Sequence, residues 1–584
     1  MNKKLASLLQ VILACAVIVS MLAGCGGGNA PAPTNAPAAP AATNAPAAPA
    51  ADAPAAPEAA PEAASPYADL GLDANLRFTE TRNITVEVYN RNNDGGTKPE
   101  DNFYTDYVKE KMLEKHNVAV TYIPVSRWTE GDEINNLLAS GDAPDVCVTY
   151  SYPTIQTYAS MGGVLDLAPY VDGYKEILPN LWDLLGDANI HWDQDPETKT
   201  IWALEAILFH NARINTFVRE DWLAKLNIAE PASMTEFESM LQAFKDNASA
   251  LLGNDADKIV PFSISYDAGW RSDHLQAAFI PNDISDKAYY VTGFDDRHFL
   301  RPNIKEAYRK INEWYNKDWV WKDFALYPSG DPTEDNMIKS GFVGSFMHNW
   351  DYPYRGGDTG IHATLKSIVG DDAAYIAVEP FTNDAGLYRK YLSSPIDRKV
   401  FFPSTNDEPI ASALYLDWLS TLENRSFLQI GEEGVTHEVM PDGAIKTIAT
   451  TGEKIMNSPN NIDMTIVING LELGDPDLNI ASLALGYAGV DARYIEKAYA
   501  ASRRDGRVGK NVNVGAITAE EGNGPALAEK RDIILDNAIA TTTANFDKVF
   551  DEGMQDYLNS GGQAILDERE AKWTQYFGTA EMLP

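Results

Sequence analysis

The sequence predicts an α/β fold built around a parallel sheet. Residues 84–89 alternate apolar and polar side chains as a strand does, residues 101–116 carry apolar side chains at helical spacing, and residues 118–125 form a second strand. Strand, helix and strand in this order favour parallel pairing. The length of 584 residues exceeds one ordinary domain, and at roughly 150 residues per domain it suggests three or four units, or two large lobes.

The chain begins with a segment typical of a secretory signal. Two lysines precede an apolar stretch, residues 5–21, and a Leu-Ala-Gly-Cys sequence then ends at Cys25. This segment resembles a bacterial lipoprotein signal, because the small residues before Cys25 would fit a peptidase cleft and the thiol can carry a lipid. We therefore predict a signal peptide over residues 1–24 and a lipid anchor at Cys25, on the outer face of the cell membrane. An ordinary cleaved signal and a transmembrane anchor are the alternatives.

A spacer follows the predicted anchor. Residues 29–65 consist of Ala, Pro, Asn and Thr with a few acids, and they include no large apolar side chain. Such a composition cannot bury a core, so we predict a disordered tether over residues 25–82 that carries a folded body beginning at residue 83.

Composition excludes several classes of function. The formal net charge of −37 repels nucleic-acid backbones and anionic membrane surfaces, so no nucleic-acid partner is expected. Of the three cysteines, Cys15 lies in the signal and Cys25 is the lipid site. Cys147 is left alone between two valines, which predicts a buried strand residue and leaves no intramolecular disulfide and no zinc spacing.

Candidate ligand-binding residues follow the predicted strands. In open α/β sheets ligands gather at the carboxyl ends of strands. Residues 84–89, 118–125 and 145–150 lead to loops or ends that carry Arg91, Arg127 and Tyr150. These side chains could pair with hydroxyl groups or stack on a flat ligand face; loop ion pairs and surface packing are the alternative.

Two later strands end in an aromatic residue beside a charged one. Residues 261–265 precede Trp270 and Arg271, and residues 341–347 precede Trp350 and Asp351. Trp supplies flat apolar surface for sugar C–H faces, and the charged neighbour supplies hydrogen bonds to hydroxyl groups. Core packing is the competing interpretation for each tryptophan. Other elements include the strand 216–219, the helix 221–226 and a capping-box pattern at residues 233–236.

Several short motifs resemble those of extracellular solute-binding proteins of bacterial ABC importers, particularly the large sugar-binding-like lipoproteins of Gram-positive bacteria. Their order along the chain, together with the signal and the spacer, makes the resemblance specific. The motifs are residues 138–146 (LASGDAPDV), 163–167 (GVLDL), 218–226 (VREDWLAKL), 231–237 (PASMTEF), 431–435 (GEEGV) and 546–547 (FD).

The resemblance implies a two-lobe periplasmic-binding-protein-like α/β fold with an interlobe cleft and crossing hinge strands. It places lobe 1 at residues 83–208 plus 373–430, and lobe 2 at residues 209–372 plus 431–584. Glu433 is then a candidate cleft residue, although a helix-start carboxylate is an equal interpretation. Residues 201–205 (IWALE) lack the proline expected in a cleft strand of this family, which leaves the cleft wall and the ligand class open.

The resemblance implies a binding component of an ABC transporter and no enzyme. Such a monomer would capture a small solute, favoured as a carbohydrate or oligosaccharide, and deliver it to a membrane permease without a cofactor. Motifs of hydrolases, metalloproteases and nucleotide-binding enzymes are absent. A surface-anchored polysaccharide hydrolase or lyase is the main alternative, and a tethered sensor is a third. Residues 193–197 (DQDPE) are interpreted as a turn rather than a calcium loop.

Overall fold

The computed structural model describes residues 65–91, 97–209, 212–293, 298–448, 454 and 463–582. The predicted signal, Cys25 and most of the spacer lie outside the described residues. The strands are β1 (Arg82–Asn90), β2 (Val118–Ser126), β3 (Cys147–Thr149), β4 (Leu204–Leu208), β5 (Ile214–Arg219), β6 (Val260–Ser263), β7 (Val343–Asn349), β8 (Tyr375–Val378), β9 (Tyr391–Leu392), β10 (Ile396–Phe401), β11 (His437–Val439), β12 (Ile445–Thr447), β13 (Ile468–Asn469) and β14 (Arg507–Val508).

Helices occupy much of the remaining chain, and none of the described ones is long and apolar enough to cross a bilayer. The α-helices span Phe103–His116, Glu130–Ser140, Tyr152–Ser160, Ala168–Val171, Pro179–Ile190, Glu220–Leu226, Met234–Asp246, Ala248–Leu252, Asp273–Gln276, Asp286–Thr292, Ile304–Asn316, Thr333–Lys339, Ile361–Val369, Pro409–Ser420, Leu422–Ile430, Pro476–Leu485, Ala492–Arg503, Thr518–Ala540, Phe546–Tyr557 and Gln563–Phe577.

The first sheet contains the parallel pair predicted from the sequence. β1 and β2 pair in parallel from Arg82 and Val118 to Asn90 and Ser126. Backbone hydrogen bonds from Glu87 to Val146 and from Val146 to Thr85 join β1 to the segment that enters β3. β10 then pairs antiparallel with both β3 and β4, and β13 pairs in parallel with β4. The carboxyl ends of β1, β2, β3, β4 and β13 therefore lie along one edge of the sheet.

The second sheet has the order β6-β7-β5-β8. β6 and β7 are parallel, whereas β5 runs antiparallel to both of its neighbours, β7 and β8. The carboxyl ends of β6, β7 and β8 and the amino end of β5 therefore lie along one edge. The loops that carry Trp270 and Trp350 start from this edge.

Two separate hydrophobic cores divide the described chain into two lobes. The first core draws on residues 72–204 and 400–467, and the second on residues 214–381 and 494–565. This differs from the predicted boundaries, because residues 373–381 pack in the second lobe and residues 464–467 pack in the first. The reason is strand pairing: β8 joins the β5 ladder, and β13 joins the β4 ladder. Apolar strands of this kind look alike in a sequence, whichever sheet they enter.

The chain crosses between the lobes at short connections. Residues 209–213 link the carboxyl end of β4 to the amino end of β5, and five extended residues reach at most about 17 Å. Residues 379–395 link β8 to β10, and the chain crosses again after β13. The two sheet edges described above are thus held close to each other, which is the arrangement of a cleft with hinge segments.

Cys147 lies in β3 and is fully buried, as predicted. Its Sγ donates to the carbonyl of Pro144 at 3.2 Å. Burial raises the pKa of the Cys147 thiol well above its usual range. A thiol held in this protonated form is a packing residue and a poor nucleophile.

Gly344 in β7 provides a test of core packing in the second lobe. A Cβ at this position would lie 2.6 Å from Phe244 Cδ2 and 2.8 Å from Trp222 Cζ3. Gly344→Ala is therefore expected to lower the free energy of unfolding by about 1–3 kcal/mol in urea titrations. Gly131→Ala is the control, because a Cβ there meets nothing within 4 Å and alanine is favoured inside a helix. Equal losses in the two variants would contradict the packing argument.

Candidate functional site

An arginine lies over two tyrosine rings at the edge of the first sheet. The guanidinium carbon of Arg127 is 4.1 Å from the ring centroid of Tyr150 and 5.5 Å from that of Tyr89. The two rings stack with centroids 6.0 Å apart and planes 19° apart. Arg127 Nη1 also lies 3.2 Å from Glu130 Oε2. The carboxyl ends of β1, β2 and β3 thus combine a cation with aromatic faces.

A buried carboxylate holds two further arginines at the same edge. Arg91 Nε and Nη2 donate to the two oxygens of Asp463 at 2.6 and 2.9 Å, and Arg398 Nη1 donates to Asp463 Oδ1 at 2.8 Å. Burial by itself lowers the pKa of Arg91, but its hydrogen bonds to Asp463 raise it on balance. Burial, reinforced by Asp397, raises the pKa of Tyr150 to about 12. Tyr150 therefore presents a neutral hydroxyl group.

Trp128 gives this edge an open aromatic surface. It follows Arg127, and 53% of its surface is exposed. Its Nε1 lies 3.3 Å from the carbonyl oxygen of Arg91, to which it donates. An exposed tryptophan that is held in place by its ring nitrogen can stack on the flat face of a ligand.

The edge of the second sheet carries its own aromatic pair. Trp270 is half-buried, and its ring stacks on Tyr266 with centroids 6.4 Å apart and planes 23° apart. His348 lies edge-on to Trp270 at 4.9 Å. Burial lowers the pKa of His348 well below its usual range, so this imidazole is neutral. The pair Tyr266 and Trp270 therefore forms an apolar face at the carboxyl end of β6.

Arg271 lies inside the second lobe rather than on the cleft surface. Its Nη1 and Nη2 donate to Glu334 at 2.7 and 2.9 Å, and its Nε donates to the carbonyl of Met347 at 2.7 Å. The side chain is fully buried. Glu334 raises the pKa of Arg271 despite the opposing effect of burial. The residue thus joins the loop after β6 to β7 and to the helix Thr333–Lys339.

Trp350 and Asp351 are also largely buried. Trp350 packs edge-on against Tyr487 and Tyr499, with ring centroids 6.1 and 5.3 Å away. Asp351 accepts hydrogen bonds from Tyr487 at 2.6 Å and from Arg355 at 2.5 Å. The structure therefore places these predicted ligand residues beneath the surface, where they position Tyr487. A cavity of about 300 Å³ lies beside Tyr487, between the β11–β12 hairpin and the helices that follow β13.

Glu433 and the 193–197 turn lie away from these clusters. Glu433 is exposed in a turn whose next residue, Gly434, donates from its backbone to His437 at 2.7 Å. In the other turn, backbone bonds from Asp195 to Thr200 and from Lys199 to Asp195 close the loop, in agreement with the turn interpretation. Among the described residues, no group of three or more His, Cys, Asp or Glu side chains is suited to hold a metal ion.

The structure thus brings Arg91, Arg127 and Tyr150 together at one edge. Sequence reasoning did not select Asp463, Arg398, Tyr266 or Tyr487. Tyr266 could have been found, because it directly follows the predicted strand 261–265 and precedes Trp270 by one helical turn. Asp463 carries no such signal, since it lies 372 residues from Arg91 in the chain.

Two α/β lobes joined by short crossing segments assign this chain a two-lobe α/β fold of the periplasmic-binding type. Residues 108–370 match the family described as bacterial extracellular solute-binding protein. The match covers the middle of the chain and, together with this fold assignment, confirms the resemblance seen in the sequence.

Similar proteins agree with this assignment. Lipoprotein LipO of Bacillus subtilis (strain 168) is 24% identical over 228 residues, which span 38% of this chain and 42% of LipO. Among solved structures, alginate-binding protein AlgQ2 without calcium ion gives a TM-score of 0.61 at 16% identity, over 85% of this chain and 98% of that one. The Streptococcus pneumoniae ABC-transporter substrate-binding protein FusA, an EF-hand mutant in complex with fructo-nystose, gives a TM-score of 0.59 at 14% identity. The alignment covers 85% of this chain and 100% of that one. These likenesses establish the fold.

Proposed function

We propose that this protein is the substrate-binding component of an ABC transporter, which captures an extracellular oligosaccharide and delivers it to a membrane permease. The observation that carries the proposal is the pair of aromatic surfaces on the two sheet edges that the crossing segments hold close together. Trp128 and Tyr150, on either side of Arg127, form one, and Trp270 with Tyr266 forms the other. The printed names of the similar structures, which include an alginate-binding protein and a complex with fructo-nystose, support a saccharide as the ligand.

The proposed action is closure of the lobes on the ligand. Sugar rings present C–H faces that pack on indole and phenol rings, while their hydroxyl groups bond to neighbouring polar side chains. Hinge motion at the crossing segments would trap the ligand between the two aromatic surfaces. Because a ligand that touches both lobes binds the closed form better than the open form, it shifts the population toward closure. The closed form is then what a permease can distinguish.

The proposal includes a lipid anchor at Cys25. A binding protein delivers solute efficiently only if it stays close to its permease, and a lipidated cysteine followed by an Ala/Pro spacer would hold a monomer at the outer face of the cell membrane. The match to a lipoprotein, LipO, supports this part of the proposal.

Trp270→Ala tests the site. A panel of saccharides, peptides and amino acids should raise the melting temperature of the wild type only with saccharides, because binding to the folded state stabilises it. Trp270→Ala is expected to weaken the best saccharide about tenfold or more, since it removes a stacking surface. Trp182→Ala is the control, because this half-buried tryptophan lies on a helix of the first lobe. Its ring centroid is 3.6 Å from Lys175 Nζ. Binding of peptides instead of saccharides, or equal losses in both variants, would contradict the proposal.

A further inference from the structure

We infer that the saccharide bound in this cleft is uncharged, because the arginines that line the candidate site are already neutralised by carboxylates of the protein. This inference rests on the proposed function and names its substrate class. A site for uronate or sulfated sugars needs cations that can turn to the ligand.

At the first edge, Arg91 and Arg398 are committed to Asp463. The bonds to Arg91 are bidentate, at 2.6 and 2.9 Å, and the side chain of Asp463 is 1% exposed. Arg398 also lies 3.4 Å from Asp397, whose other contact is the amide of Asn469 at 2.9 Å. The charges of the two guanidinium groups are thus balanced by two carboxylates, Asp463 and Asp397. A ligand carboxylate could reach these arginines only by displacing Asp463, which would leave a buried charge unpaired.

Arg127 is held in a similar way. Its guanidinium group lies flat over Tyr150 at 4.1 Å and pairs with Glu130 at 3.2 Å. Glu130 is itself bound in place, because its Oε1 accepts from the hydroxyl of Thr149 and the backbone of Tyr150. A sugar carboxylate close to Arg127 would therefore also lie close to Glu130, and the repulsion would cancel much of the attraction.

Three arginines in the described part of the second lobe are paired with carboxylates as well. Arg271 is paired bidentately with Glu334, and Arg355 pairs with Asp351 at 2.5 Å. Arg531 pairs with Asp532 at 2.7 Å and lies 3.9 Å from Asp267. With a chain charge of −37, the long-range field also opposes the approach of anions.

A neutral saccharide suits this arrangement. The Arg127–Glu130 pair, whose side chains are 24% and 11% exposed, presents both donors and acceptors to hydroxyl groups, which need both, and no ion pair has to break. The open faces of Trp128 and Trp270 take sugar C–H surfaces, which carry no charge.

The test is calorimetric titration of the wild type with glycans matched in pairs that differ only at C6. β-1,4-mannotriose is compared with trimannuronate, and α-1,4-galactotriose with trigalacturonate, within a wider panel of neutral and acidic glycans at about 50 and about 200 mM salt. We expect neutral glycans to bind at least about tenfold more tightly than their acidic partners, with little dependence on salt. Acidic glycans that bind equally well or better, and more weakly at high salt, would overturn the inference and leave the proposed function standing. No binding by any glycan would contradict the proposed function itself.

Asp463→Asn provides a second, gain-of-function readout. Removing this charge should release Arg91 and raise the affinity for acidic glycans about tenfold or more over the wild type. Glu408→Gln is the matched control, because Glu408 pairs with Arg82 at 3.2 Å at the opposite, amino end of β1 and should create no acidic binding. A folded Asp463→Asn variant, checked by circular dichroism, that gains no acidic affinity would count against the inference. If the variant does not fold, the titrations of the wild type with matched neutral and acidic glycans test the inference.

Discussion

Replacing Glu334 by Gln is expected to lower the free energy of unfolding by about 3–5 kcal/mol, because it leaves the charge of Arg271 buried and unpaired. Arg271 is fully buried, and both of its terminal nitrogens donate to Glu334. Ser263 also donates to Glu334 Oε1, at 2.6 Å. The Glu334 carboxylate thus links Arg271, in the loop after β6, to Ser263 in β6 itself. Its loss should therefore also loosen the packing of Trp270, which precedes Arg271.

Urea denaturation of Glu334→Gln measures this effect, with Asp255→Asn as the control. Asp255 pairs with Lys258 at 2.7 Å, but their side chains are 50% and 52% exposed. Exposed ion pairs contribute about 1 kcal/mol or less. A double variant, Arg271→Met with Glu334→Leu, should recover much of the lost stability, because it removes both buried charges. Similar small losses for Glu334→Gln and Asp255→Asn would show that the buried pair does not stabilise the lobe.

The stability of the wild type is expected to rise with pH above about pH 7 because of Lys390. Burial lowers the pKa of Lys390 to about 7, although Glu379 at 3.8 Å opposes the shift. Its Nζ lies 2.6 Å from His274 Nε2, and Arg504 and Asp273 also act on it. In the unfolded chain this amine keeps its proton up to about pH 10.4. Between these values the unfolded state binds more protons, so the free energy of unfolding increases by up to about 1.4 kcal/mol per pH unit.

Lys390→Met isolates this contribution. From about pH 7.5 to about pH 9, the wild type should gain about 2 kcal/mol relative to the variant in urea titrations. The range ends there because the raised pKa values of Cys147 and of buried tyrosines such as Tyr354 act in the opposite direction at higher pH. Lys258→Met removes an amine that is 52% exposed and should leave the pH dependence unchanged. Parallel curves for the wild type and Lys390→Met would contradict a lowered pKa at this lysine.

The location of Lys390 connects the pH dependence of stability to ligand binding. It lies on the 379–395 crossing segment, and through His274 it is connected to Thr216 of β5, whose Oγ1 is 2.8 Å from His274 Nδ1. A charge at this position is buried within a crossing segment, where it is poorly solvated. Ligand affinity measured over the same pH range would show whether closure depends on it.

The sequence by itself determined much of the fold and the neighbourhood of the site. Alternating and helical periodicities located β1, the helix Phe103–His116 and β2 within one or two residues of where they lie, because each pattern reflects which local face meets the core. The rule that ligands bind at the carboxyl ends of strands brought Arg91, Arg127 and Tyr150 into consideration, and the structure places them together. Trp270 also keeps an accessible surface.

Only the tertiary structure decided which of the candidates can touch a ligand. Arg271, Trp350 and Asp351 look like Trp270 in the sequence, yet Glu334, Tyr499 and Tyr487 bury them. The predicted boundaries also placed β8 in the first lobe and β13 in the second, whereas β8 pairs with β5 and β13 with β4, and no role was predicted for Asp463. These outcomes depend on partners 63 to 372 residues away in the chain, and pairing across such distances leaves no periodic trace in the chain. Local pattern therefore predicts elements and their edges, whereas burial, charge pairing and the choice of sheet arise only when the chain folds.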